Sequence, residues 1–600
     1  MHLIHNGVEE MAFDGLTVYA VAQQLEATLV GARIMKIYQP SRFDLVLHCR
    51  RPGGNHQLVI SGHPQYPRIY LTEADYVNPL NPPAFCMLLR KHLEGGKITA
   101  VRQIGFERII EIDVEALSDT GELALRTLIV EIMGRHSNVI IVDGESRTIL
   151  DGLNRVTAQM SRYREIQPGE IYISPPPQDK ANPLTSDWPQ FISLLAPSSP
   201  TAKVSNVIVR SYQGISPVTA GEILLRAGFG VGATVADLQG DWEALYHEFT
   251  QLFSQLTTGE AVATLALDGD GSPVEFAPYP LRDIGTSLVK CRDISQAADR
   301  YYDYRINYHR LKEMAGVLNR IISTNINRLE KKISKQQDTL ELAAQADTYR
   351  IQGELLTANL YQVQKGQDSI TVTNFYSEDQ EPISISLDPS LSPAENAQAY
   401  FKRYTKAKNS LQITEQQLQE SRSELEYLEE VQTAIALAET IGEIEEIREE
   451  LIAEGYLKTK PTKGRKQRKP DPAPPLQFIS QDGFPIFVGR NNRQNDQVTF
   501  SIASSSDIWL HVKDIPGSHV IIKSGGKPVP DTTLVQAAEI AAYYSKARDS
   551  ATAAVDYTTR QKVRKPKGAK PGKVIYDSHR TILVTPKPHS ASREDSRQED

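Results

Sequence analysis

Short apolar runs with strand-like alternation, broken by turns, fill the first 170 residues of the chain. RFDLVLHCR (42–50), QLVISG (57–62), RIYLTE (68–73), RIIEIDV (108–114), LRTLIVEIMG (125–134) and NVIIVD (138–143) each have the length or period of a strand. Two helical patterns interrupt them, at 18–29 and 83–94, the second closed by Gly95-Gly96. The pattern predicts an α+β domain over 1–178 that ends at the Pro-rich ISPPPQ.

Residues 179–290 read as mainly helical. Within them SYQGISPVTAGEILLRAG (211–228) resembles a helix-hairpin-helix, whose turn amides can hold a phosphate at a helix N-terminus, although Ser216 stands where that motif has a second glycine. From 291 to 456 the period becomes that of long helices. Ile322, Ile326, Leu329, Ile333 and Leu340 form one heptad seam, with Gln336 in the missing position, and Leu411, Leu418, Leu425, Leu428 and Ile435 form another. Between them lie two strand candidates, SITVTNFY and PISISL. The expectation is an antiparallel coiled-coil arm with a capped tip, reaching roughly 65 Å at about 1.5 Å per residue. A charged, Pro-rich linker (457–475) leads to a second α+β domain (476–587) and an acidic, Ser-rich tail (588–600), the linker and tail expected to be disordered.

Charge alters this picture, because the net −8 conceals a segregation. Residues 411–454 hold thirteen Glu against two Arg, 458–469 hold seven Lys or Arg and no acid, and 476–587 hold sixteen basic against nine acidic residues. The basic C-terminal module points to a polyanionic partner. Cys49, Cys86 and Cys291 are scattered and odd in number, which fits core residues in a reducing cytosol rather than disulfides or a metal site. The N-terminus, whether it starts at Met1 or Met11, lacks a signal-peptide layout, and no run of about 18 apolar residues suggests a membrane span. The location expected is cytoplasmic. No phosphate-binding loop, metal-spaced His/Cys cluster or nucleophile elbow is present, so neither a catalytic residue nor a cofactor is expected.

Four stretches, in order, resemble the signatures of the NFACT family: CMLLRKHLEGGKI (86–98), EIMGRHSNVIIVD (131–143), GELLTANLYQV (353–363) with NAQAYFKRYTKAK (396–408), and DIWLHVKDIPGSHVII (507–522). The resemblance implies a multidomain α+β protein with an NFACT-N domain, a helix-hairpin-helix region, a coiled-coil middle domain and an RNA-binding NFACT-R domain. It further implies a partner in the large ribosomal subunit (rRNA and proteins) obstructed by peptidyl-tRNA, and recruitment of tRNA, alanyl-tRNA in the bacterial branch, for C-terminal tailing without mRNA. The NFACT-N domain also resembles the N-terminal half of formamidopyrimidine-type DNA glycosylases. Those enzymes need a Pro-Glu start and usually a zinc finger, whereas this chain offers Met1-His2 or Met11-Ala12 and only three cysteines.

Glu107-Arg108 occupies the place of the Asp-Arg pair implicated in tRNA engagement in bacterial relatives, with Glu in place of Asp. Arg90 and Lys91 near a helix end, and Arg135, His136 and Asn138 in a polar turn, are further tRNA-binding candidates. In the C-terminal domain Trp509, His511, Lys513 and His519 are expected to share a face that stacks a base. Arg560, Lys562, Arg564, Lys565, Lys567, Lys570 and Lys573 form a loop without an acid, suited to rRNA backbone. Two readings of other kinds stand beside this one: a fibronectin-binding surface adhesin, and a generic rRNA-binding biogenesis factor.

Overall fold

The computed structural model describes residues 13–118, 120–344, 346–458 and 473–589. The chain divides into two units between Tyr308 and His309. The disorder expected of the linker and tail falls on residues 459–472 and 590–600, which lie outside the described residues.

In the first unit nine strands make one antiparallel sheet: β1 (Arg33–Tyr38), β2 (Asp44–Arg51), β3 (Gly54–Ser61), β4 (Arg68–Thr72), β5 (Lys97–Gln103), β6 (Ile109–Leu117), β7 (Leu123–Glu131), β8 (Asn138–Asp143) and β9 (Ile149–Gly152). Their order is β4-β3-β2-β1-β5-β6-β7-β8-β9, two runs of hairpins joined where β1 meets β5. That junction centres on Arg33 opposite Lys97, flanked by backbone hydrogen bonds of Gly31 and Ala32 with Ile98 and of Ile34 with Gly95 and Gly96. Beyond it, side chains of α2 (Ala84–Leu93) and its C-cap satisfy the edge of β1: Arg90 Nε donates to the Ile37 carbonyl at 2.8 Å, and the Ile37 N–H donates to Glu94 at 3.1 Å. Helix α1 (Gly15–Leu29) starts at an Asp14 cap that accepts from the Thr17 N–H. Its apolar stripe, Val18, Val21, Leu25 and Leu29, is wholly buried in the sheet's core. Cys49, Cys86 and Cys291 are free thiols, all buried.

Four helices follow, α3 (Trp188–Leu195), α4 (Val204–Ser211), α5 (Pro217–Arg226) and α6 (Trp242–Thr257), then a small sheet of β10 (Thr264–Leu267), β11 (Pro273–Ala277) and β12 (Ser287–Lys290). Phe191, Tyr212, Phe249 and Phe253 stack through their core, with ring centroids 4.8–6.3 Å apart. Phe106, from the β5–β6 turn, inserts into this same core and contacts Phe253 edge-on. That aromatic plug ties the sheet to the helices.

The long helix α7 (Ile294–Ala344) begins in the first unit, where Ile294, Ala297, Tyr301 and Tyr302 join the sheet's core. In the second unit it is followed by α8 (Ala346–Ala358), a hairpin of β13 (Ser369–Thr373) and β14 (Pro382–Ser386), α9 (Pro393–Leu437) and α10 (Ile441–Ala453). Leu318, Ile322, Ile326 and Leu329 of α7 pack on Leu428, Val431 and Ile435 of α9. Further along α9 the buried seam uses Thr414, Leu418 and Ser421, and on α7 it uses Gln336. Such small or polar seam residues weaken packing but restrict register. Helix α8, the hairpin and the start of α9 bury a separate core around Leu355, Leu356, Ile385 and Tyr400.

The C-terminal domain is a six-stranded sheet ordered β15-β16-β18-β17-β19-β22, from β15 (Leu476–Ile479), β16 (Pro485–Val488), β17 (Ile508–Val512), β18 (Val520–Ile522), β19 (Ala553–Thr559) and β22 (Arg580–Val584). Helix α12 (Asp531–Tyr543) covers one face. A short helix α11 (Asn492–Asp496) precedes β17, and the two-residue strands β20 (Val563–Arg564) and β21 (Ile575–Tyr576) form a separate ribbon, with Val563 and Tyr576 packed at Trp509.

Candidate nucleic-acid interface

Glu107 and Arg108 sit in the tight turn between β5 and β6, half-buried beside the fully buried Phe106. Gln103 Nε2 donates to the carbonyls of Glu107 (2.8 Å) and Gly15 (3.1 Å), which holds the turn against the start of α1. The helix–turn–helix closes from the other side. The Gly15 N–H donates to the Gly214 carbonyl at 2.7 Å, and a Cβ on Gly214 would lie 2.4 Å from the Phe106 carbonyl oxygen. Gly214 has φ +66°, so backbone conformation and close approach both require glycine there. The hairpin turn thus meets protein backbone at Gly214.

Asp14 completes the joint. Its carboxylate accepts from Ser216 Oγ (2.9 Å) and from Thr219 Oγ1, linking the cap of α1 to the cap of α5. Burial pushes the Arg108 guanidinium below its ordinary pKa, and Asp14 and Glu107 oppose that push. Lys180, half-buried and pushed down by burial and by Arg108, faces the same carboxylate of Glu107. The site therefore gathers two cations and two acids, in which a desolvated guanidinium gains from an incoming phosphate or polar base edge. Asp14 and Lys180 were not legible as site residues, because neither lies in a recognisable motif.

The turn after β7 begins beside this site, since the Ile132 N–H donates to the Arg108 carbonyl at 2.9 Å. Arg135 and His136 on it are exposed. Asn138 is not: it is 2 % exposed, and its amide accepts from the N–H groups of Val139 and Asn154 and donates to the Asn154 carbonyl. That corrects its assignment as an RNA contact, because its amide is committed to the fold. Arg90 spends its guanidinium on Ile37, on Glu94 and on the ring of Tyr38, away from the turn, while Lys91 is exposed on α2.

In the C-terminal domain the expected base-stacking face is closed. Trp509 is 0 % exposed, packed against Tyr576 at 4.7 Å and His519 at 5.2 Å, with Val498, Ile521 and Val563 around it. His519 is buried and shares a 2.8 Å hydrogen bond with Thr499, and burial drives its pKa well down. His511 is half-buried and lowered for the same reason. Trp509 and His519 therefore offer no surface to a base, and of the four residues only Lys513 is exposed. The alternation holds, but the β20–β21 ribbon that covers this face has no sequence signal of its own.

Much of the basic loop is spoken for. Arg560 Nε donates to the Thr499 carbonyl at 2.9 Å, Arg564 pairs with Asp577, and Lys565 pairs with Asp496. Lys570 reaches Glu454 of α10's C-cap at 3.0 Å, and Lys573 pairs with Glu426 of α9. Arg490 pairs with Glu443, while Asn491 and Gln494 donate to Glu446 at 2.8 and 2.9 Å. The acidic run of 411–454 is thus the docking surface for its own basic domain, and part of the charge segregation is internal. Among the described residues no carboxylate pairs with Lys513, Lys562 or Lys567.

These parts define a multidomain α+β protein in which a large antiparallel sheet, a helix–turn–helix and a paired-helix segment precede a basic C-terminal domain. The chain belongs to the NFACT family: residues 14–470 match the model of the NFACT N-terminal and middle domains, and 475–578 match the NFACT protein RNA binding domain. It is 40% identical over 579 residues to the Rqc2 homolog RqcH of Bacillus subtilis, covering 96% of this chain and 98% of that one. It is 36% identical to the Rqc2 homolog RqcH of Streptococcus pneumoniae, with the same coverage, and 28% identical over 22% of its length to the human ribosome quality control complex subunit NEMF. Among solved structures, the N-terminal part of the fibronectin/fibrinogen-binding protein of Streptococcus suis is 32% identical, with a TM-score of 0.41, and covers 48% of this chain and 99% of that one.

Proposed function

We propose that this protein is a ribosome quality control factor of the cytoplasm. It binds large ribosomal subunits obstructed by peptidyl-tRNA and recruits tRNA, alanyl-tRNA by the resemblance to the bacterial branch, so that the stalled chain receives a C-terminal tail without mRNA. The observation that carries this reading is its end-to-end similarity to the Bacillus protein, 40% over nearly the full length of both chains. The RNA-binding domain over 475–578 supports it. The protein is not itself an enzyme in this account. Peptide-bond chemistry belongs to the ribosome, and the protein contributes by positioning the incoming tRNA. Glu107, Arg108 and Lys180, with the exposed Arg135 and His136, form the tRNA site; Lys513, Lys562 and Lys567 face rRNA. The paired helices α7 and α9 act as a coiled-coil arm whose tip touches the subunit.

Among the described residues no helix is long and apolar enough to cross a membrane. Fractionation of cells combined with gradient sedimentation tests the proposal. The protein is expected in the soluble fraction, comigrating with free large subunits and releasing as salt rises. Recovery at the cell surface, with none on large subunits, would favour the adhesin.

A further inference from the structure

The sheet of the first unit carries a cationic row that the Arg108 site does not use. Arg33 of β1 lies directly opposite Arg50 of β2 and, on its other side, opposite Lys97 of β5. Residues paired in this way share one face and stand about 5 Å apart. All three are exposed, whereas their neighbours Ile34, Cys49 and Ile98 are buried on the other face. One step along, Lys36 lies opposite His48, and Asn55 and Gln57 of β3 lie opposite Arg50 and His48. Like charges set directly opposite destabilise a sheet, so two such pairs in succession are a cost without a structural return.

Little of this charge is answered within the described residues. Arg33 donates to the Gly95 carbonyl at 2.9 Å, and no carboxylate forms an ion pair with Lys36, Arg50 or Lys97. Glu115 is the next residue in the row, opposite Lys97 and on the side away from Arg50. Lys36, His48, Arg50, Asn55 and Gln57 line an open cleft whose two acids, Glu73 and Asp293, are taken by Arg292 at 3.1 and 2.9 Å.

We propose that this face, centred on Arg33, Arg50 and Lys97, docks the phosphodiester backbone of structured rRNA on the large subunit. Cations and amides without an exposed aromatic suit backbone rather than base recognition. Lys97 opens β5 while Gln103 closes it beside the Glu107–Arg108 turn, so the row and the turn are separated by the strand's length, roughly 20 Å. A ligand at the turn does not discharge the row. The row anchors the protein, and the turn holds tRNA.

The inference rests on the proposed function for the identity of its partner, and the test separates the two. Binding of the full chain to purified large subunits, and separately to deacylated tRNA, is measured across salt for the natural protein and for Arg33→Gln/Arg50→Gln/Lys97→Gln. Losing three phosphate contacts should reduce the slope of log affinity against log salt by about two to three on subunits and leave the tRNA slope unchanged. Because the substitutions relieve repulsion, the melting temperature should not fall; Lys36→Gln/Arg50→Gln, which spares the Arg33–Gly95 bond, gives a second reading with a smaller change of the same sign. An unchanged slope on subunits, or a loss confined to tRNA, overturns the inference. Failure of the natural protein to bind subunits at all overturns the proposed function instead.

Discussion

Lys570 donates to Glu454 at 3.0 Å with its ammonium 4.8 Å from the ring centroids of both Tyr427 and Tyr456. This contact, together with the pairing of Lys573 and Glu426, fastens the basic domain to the root of the paired helices. Lys570→Gln/Lys573→Gln should therefore loosen that docking, on the order of 1 kcal/mol for partly exposed pairs with cation–π support. Limited proteolysis should cut faster between the helices and the domain. Lys567→Gln, at an exposed cation, should leave proteolysis unchanged and lower the salt slope of RNA binding by about one. A reversed pattern would return the whole loop to RNA.

Trp509 provides a contrast between core and surface. Truncating a fully enclosed ring should cost about 3–5 kcal/mol, so Trp509→Ala should lower the melting temperature of the C-terminal domain sharply. Titrating RNA against the natural protein should leave the fluorescence of this tryptophan unquenched, which Trp509→Phe identifies by difference.

A half-buried carboxyl and a buried imidazole of the second unit give opposite pH slopes. Burial, with Glu426 close by, pushes the Glu430 carboxyl up to about 8 from its ordinary 4.5, while Lys573 pulls it down and Glu450 and Asp496 push it further up. Below 4.5 both folded and unfolded chains hold the proton. From there to 8 only the unfolded chain ionises, so stability falls as pH rises through that window and levels off above it. Burial, with Lys565 and His511 adding to it, holds the pKa of His519 well below 6.5, so its contribution is complete above 6.5 and is lost as pH falls below it. Melting curves from pH 4.5 to 8 should show a flatter alkaline limb for Glu430→Gln and a flatter acidic limb for His519→Gln.

Gly214→Ala tests the joint behind Arg108. The new methyl would meet the Phe106 carbonyl and the backbone of Gly15, so it should both destabilise the first unit and displace the Glu107–Arg108 turn. Gly228 also has positive φ, but a methyl added there would meet nothing within 4 Å, so Gly228→Ala should cost only about 1 kcal/mol of backbone strain. Equal effects of the two on tRNA binding would mean that the close approach is incidental.

The strands and long helices were legible because their periods are regular: NVIIVD is β8, and the Ile322–Ile326–Leu329 spacing is the seam packed on α9. The signal failed where a partner distant in sequence decides a residue's role. Asn138 looked like an open polar turn until Asn154 filled its amide, and the basic loop looked free until Glu426 and Glu454 reached it. Lys180 entered the site only because the chain before α3 folds back beside Glu107. Arg33, Arg50 and Lys97 are ordinary surface cations in the sequence, and only strand register makes them a row.

In the proposed function, Arg108 holds tRNA on a protein that binds the large subunit independently of it. Sequencing of RNA crosslinked to the natural protein and to Arg108→Ala, recovered from the large-subunit fraction of cells, addresses this directly. Removing a charge-assisted contact costs about 1.5–3 kcal/mol, roughly ten- to hundredfold in affinity. The natural protein should yield both large-subunit rRNA and tRNA, and Arg108→Ala should keep the rRNA and lose tRNA by that factor, with Glu107→Asp close to natural and Glu107→Gln impaired. Arg108→Ala retaining full tRNA yield, or a natural protein that crosslinks to no tRNA, would contradict the account.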